Sequence, residues 1–166
     1  MRAVFLACLI FLASPASALS CLPVSVSRAY LDAAAAEETY VIALGRFSFA
    51  PEALAPRPAG EGSWAGTRRV EAGFTGALFS GDGFDFLTEL NVTIAATCAG
   101  PWCASIAPGV EMLAFLQEHA DGYLLSLGPC GGSAFPDPTE AQIARIRACH
   151  AGGPCARESA GERAAD

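Results

Sequence analysis

The chain has 166 residues, 52% of them hydrophobic and 16% charged, and a net charge of −7 in which every basic residue is Arg. A chain so acidic, with no basic cluster, argues against nucleic-acid and anionic-lipid binding, because both need a positive surface. Its length suits one domain with a sizeable core.

The first segment, MRAVFLACLIFLASPASA, has one charge, Arg2, then an apolar run, then the small-residue triplet Ala16-Ser17-Ala18. That is the pattern of a secretory signal peptide over residues 1–18. The apolar run is about 11 residues, too short to span a bilayer as a helix, which needs roughly 20. The prediction is an exported chain, periplasmic or secreted, with a domain over 19–156 and a flexible tail over 157–166. A cut after Ser20 would make Cys21 the first residue. Lipid anchoring at Cys21 is disfavoured by Ala18, where lipoprotein signals carry Leu. The Ala, Gly and Arg bias without Lys is what GC-rich coding produces, and it points to a bacterial source.

Of seven cysteines, Cys8 falls in the leader. Six remain, Cys21, Cys98, Cys103, Cys130, Cys149 and Cys155. An even number in an exported chain reads as three disulfides, for which 15 pairings exist.

After Cys21 comes an alternating segment and an Ala-rich turn of helix. Residues 39–49, TYVIALGRFSF, read as a strand. Residues 51–66 hold three Pro and three Gly and read as a loop, with Trp64 as its exposed aromatic. Residues 68–80 alternate weakly, and Gly73 and Gly76 suggest a bulge or tight bend of the kind barrel corners need. Residues 84–98, FDFLTELNVTIAATC, are rich in aromatic and β-branched residues and read as a strong strand. VEMLAFLQEH is helical by composition, but Asp121-Gly122 after it is a hairpin signal and makes it a strand paired with YLLSL. Residues 137–150 read as a helix. Thr139 and Gln142 form a capping box, Ile143 and Ile146 share a face, and Gly152-Gly153-Pro154 stops it. The pattern is a mainly β domain, a small five-stranded barrel with a C-terminal helix, since closure removes sheet edges.

CAGPWC, residues 98–103, resembles a thioredoxin motif but has four residues between its cysteines where redox chemistry uses two. No helix start follows it either, which such a centre needs to lower the thiol pKa. It reads as two disulfide halves either side of a turn at Gly100-Pro101, with Trp102 packed on the barrel. The two histidines, His119 and His150, fall short of the three protein ligands of a catalytic zinc. Asp82 and Asp85 lack the acid series of a calcium loop. No G-x-S-x-G elbow is present. No catalytic residue, metal or cofactor is expected.

The order Cys21-x-Pro23, then Ala29-Tyr30, then a strand, resembles the start of netrin-like modules and tissue inhibitors of metalloproteinases. The later half is similar too: a strand running into Cys98, a hairpin containing Tyr123-Leu124-Leu125, a strand ending in Cys130, and a helix with a terminal cysteine. The resemblance implies an OB-type barrel with helices beside it. It also implies a Cys21–Cys98 bridge, leaving Cys103 for Cys130 and Cys149 for Cys155. Where the inhibitors carry Cys-x-Cys, this chain has Pro23.

The function expected is therefore a non-enzymatic interaction or ligand-binding module of netrin-like type, its partner another exported protein. The alternative is a metalloprotease inhibitor whose amino-terminal Cys21 chelates the protease zinc. Cys21, Leu22 and Trp64 are the candidate binding residues.

Overall fold

The computed structural model describes Cys21 and residues 24–55, 64–100 and 102–155. The predicted signal segment, Leu22 and the predicted tail lie outside the described residues.

Ser25 caps the first helix, α1 (Val26–Ala35), its hydroxyl accepting from the Arg28 N–H. The helix thus begins within the stretch whose alternation suggested otherwise, because the cap at Ser25 satisfies its first turn. Strand β1 (Tyr40–Ser48) follows, then a 3-10 turn at Pro51–Ala53, then the long hairpin of β2 (Trp64–Phe79) and β3 (Phe84–Gly100). The expected loop therefore ends earlier than its composition suggested: Trp64 opens β2, opposite Gly100 on β3. The side chain of Trp64 lies outside what is described. A two-residue strand, β4 (Trp102–Cys103), folds back on β3. Then come β5 (Glu111–His119), β6 (Gly122–Leu127), β7 (Ala134–Pro136) and α2 (Glu140–His150).

Five strands close a ring in the order β1-β2-β3-β6-β5, with β5 returning to β1. All ring contacts are antiparallel except β3 with β6, which is parallel. This is the mainly β barrel with a C-terminal helix that the strand pattern predicts, and its ring order is that of an OB-type barrel. Among the described residues no helix is long and apolar enough to cross a membrane.

Two apolar layers share the ring wall. Ala43, Phe47, Phe74, Val92, Ile94, Leu116 and Leu125 fill the barrel. Leu113, Phe115 and Phe135 face outward against Val26 and Ala29 of α1 and Ile146 of α2. Strand β5 serves both layers, so five consecutive residues, Met112 to Leu116, are buried. A strand covered on both faces reads as a continuous apolar run, which is why its composition mimics a helix. The capping box of α2 is formed as predicted: the Gln142 N–H donates to Thr139 Oγ1 at 3.2 Å, and the Thr139 N–H donates to Gln142 Oε1 at 2.9 Å. Ile146 is fully buried and Ile143 half-buried on that face.

The glycines of β2 work differently from the bulge expected of them. The β2–β3 register runs unbroken through Gly73 and Gly76, and shifts only beyond Leu78, where Asp85 of β3 is the extra residue. Gly76 instead lies directly opposite Gly45 of β1. A Cβ on Gly45 would sit 2.6 Å from the Gly76 Cα and 2.7 Å from Phe74 Cζ. The paired glycines leave room inside the barrel for the Phe74 ring, which meets Phe47 at 5.1 Å between centroids.

The disulfides correct the pairing that the family resemblance implies. Cys21 bonds Cys130, Cys98 bonds Cys103, and Cys149 bonds Cys155. Only the last matches. Cys98 and Cys103 stand opposite each other on antiparallel β3 and β4, with Cα atoms 4.0 Å apart. Directly opposed antiparallel residues approach closely enough to bridge. CAGPWC is therefore one closed clip, not halves of two bridges. Trp102 opposes Ala99 on the outer side of this pair and is 44% exposed, so it does not pack on the barrel.

Candidate functional site

The stretch after Cys103, ASIAPGV, forms no regular element. It is pinned at both ends. The Ala104 N–H donates to Thr97 O at 3.0 Å, and the Gly109 N–H donates to Phe47 O at 2.9 Å. Between these anchors the segment covers one end of the barrel only partly. A cleft of about 570 Å³ opens there. That volume lies within the range of small-molecule sites, roughly 300–1,000 Å³.

The floor of the cleft is apolar. Met112 and Leu127 come up from the barrel core, and Ile106 and Val110 from the covering segment. The opposite wall is a β-turn, Gly128-Pro129-Cys130-Gly131, closed by the Gly131 N–H donating to Gly128 O at 2.9 Å. Pro at the second position presets this turn, and Gly131 takes a φ of +74° that favours glycine. Asp137 is the one ionisable side chain in the lining. It is exposed at the rim, and its backbone is held at φ +45° with its N–H donating to Glu111 O at 2.9 Å. The site is suited to excluding water from an apolar group, with one carboxylate at its edge to orient a polar or cationic end.

Two disulfides frame this cleft. Cys103, in its lining, is clipped to Cys98 of β3. Cys130, in the wall turn, is tied to Cys21, which is exposed beside the rim. Of the sequence-predicted binding residues, Cys21 is tied to the wall turn without lining the cleft, Leu22 lies outside the described residues, and Trp64 belongs to the start of β2. Sequence reasoning missed Ile106, Val110, Met112, Leu127 and Asp137. The available signal was ASIAPGV itself, an irregular segment carrying Ile and Val between two predicted strands.

A second, smaller groove of about 190 Å³ is polar, lined by Arg69, Glu71, Asn91, His119, Asp121 and Tyr123 among others. Thr93 Oγ1 occupies the Glu71 carboxylate, at 3.0 and 3.1 Å. The other histidine, His150, stands edge-on to Phe79 and 3.4 Å from the Tyr30 hydroxyl. Among the described residues no three His, Cys, Asp or Glu side chains converge as a metal-ligand set. No protein-family model, curated protein or solved structure matches the chain.

Proposed function

We propose that the chain is an exported, non-enzymatic binding module of netrin-like type whose barrel-end cleft receives an apolar group of its partner. The observation that carries this reading is the apolar floor of Met112, Leu127, Ile106 and Val110 in a cleft of about 570 Å³. The two disulfides at its walls support it, because a framed cleft binds without first ordering itself. Three disulfides also suit an oxidising, exported location. The test is titration with the neutral probe N-phenyl-1-naphthylamine, whose fluorescence rises in apolar surroundings. Ile106→Asp places a carboxylate on the apolar wall and should weaken probe binding about tenfold or more, while Thr88→Asp, on β3, should leave it unchanged. Equal binding by both variants and the parent would reject the cleft as the site.

A second reading is favoured by the exposure of Cys21 and its tether to the rim turn. A processed chain beginning at Cys21 would present its α-amine and carbonyl on a rigid support, as zinc chelation of a metalloprotease requires. Inhibition of a zinc protease by that form, abolished by one added Ala before Cys21, would establish it. No inhibition by the form beginning at Cys21 would remove it.

A further inference from the structure

Strand β3 pairs with β6 only from Val92 onward, and with β4 only at Cys98 and Ala99. Over residues 84–90 its one described neighbour is β2. That stretch is a sheet edge whose outward N–H and C=O groups form a template for another strand. It also carries Phe86, 64% exposed, and Leu87, 82% exposed, two of the three exposed large hydrophobic residues among the described residues. Edges are commonly blunted by burial, very short strands, bulges or charges; this one is neither buried nor short, and its Asp85 bulge and exposed acids admit only a partner strand that neutralises them.

The two side-chain rows of the edge differ. Phe86 and Leu90 oppose Leu78 and Phe74 of β2, on the row that continues into the barrel core at Val92. Leu87 and Glu89 oppose Ala77 and Thr75, on the outer row. Asp82, Asp85 and Glu89 are all exposed along this stretch, and Asp121 is exposed on the β5–β6 hairpin, beside Asn91, where the open edge gives way to β6. The nearest cation on the hairpin, Arg69, opposes Ala95, beyond the open edge.

The geometry points to residues 84–90 as a docking edge for an extended peptide segment of a partner protein that alternates basic and apolar residues. Added as a strand, such a segment sets its apolar row beside Phe86 and Leu90 and its basic row beside Glu89 and the Asp85 bulge. Opposite charges facing each other across strands stabilise, and like charges destabilise. The same acids disfavour a second copy of this chain, which would bring two acidic edges together at a net charge of −7 each. Main-chain pairing supplies affinity in strand addition, and the side-chain rows supply selectivity. This surface is separate from the cleft, and the inference does not depend on it.

The probe is an eight-residue peptide of alternating Arg and Val, blocked at both ends and labelled for fluorescence anisotropy at low salt. It should bind and protect the amides of residues 84–90 from hydrogen exchange. Methylating every second peptide nitrogen, on the bonding side, should abolish binding. The double substitution Asp85→Lys with Glu89→Lys should weaken it about tenfold. Both positions are exposed, so the fold is kept. Absence of binding, indifference to N-methylation, or protection confined to the cleft residues would overturn the inference. A dimer in light scattering that Phe86→Asp dissolves would also overturn it, in favour of a second copy.

Discussion

Gly76→Ala should lower stability by about 3 kcal/mol, at the upper end of what overpacking costs, although it adds a single methyl group. The added Cβ would meet the Leu44 carbonyl oxygen, stand 2.6 Å from the Gly45 Cα and 2.8 Å from Phe74 Cζ. Two of those three are backbone atoms, which cannot move without separating β1 from β2. That pairing is one of the five that make up the ring. Gly73→Ala is the control on the same strand. Its Cβ would meet only the Ser48 Oγ, at 2.8 Å, the end of an exposed side chain that can rotate away. It should cost under about 1 kcal/mol. Urea denaturation of both variants checks this. Equal costs would mean that the glycine pair does not limit how closely the strands approach.

Removing the Cys21–Cys130 bridge, by Cys21→Ser with Cys130→Ser, should cost about 4–5 kcal/mol on the chain-entropy account. The bridge spans a sequence separation of 109, so its loss frees most of the domain in the unfolded state. Removing Cys98 and Cys103 together should cost about 2 kcal/mol on the same account. That clip spans a separation of only 5, and β3 and β4 already hold the two residues opposite each other. Guanidinium denaturation of the two double variants measures the difference. A larger loss from the Cys98–Cys103 variant would show that the clip supports the barrel end directly, beyond its effect on the unfolded chain.

Much of the barrel is legible in the sequence because local rules and the fold agree. The capping box at Thr139 and Gln142 depends on residues three apart. The hairpin at Asp121-Gly122 depends on a turn. The strength of β3 is visible in its aromatic and β-branched residues. Bridge pairing is not local, since it depends on which strand ends meet once the ring has closed. The family resemblance joined Cys21 to the end of β3, whereas the chain joins it to the turn after β6. The cleft was hidden for the same reason. Ile106 and Leu127 are 21 positions apart and face one space only because β3 and β6 run side by side. The tight approach at Gly45 and Gly76 is likewise a property of two strands, so one strand read alone suggests a bulge.

The barrel's open end is a cleft framed by two bridges. Peptide mass mapping of the non-reduced protein tests this arrangement, because the alternative pairings give different linked fragments. The expected fragments link Cys21 to Cys130, Cys98 to Cys103 and Cys149 to Cys155. A Cys21–Cys98 link, with Cys103 joined to Cys130, would contradict it. That result would place the amino-terminal segment at the end of β3 and remove the frame from the cleft.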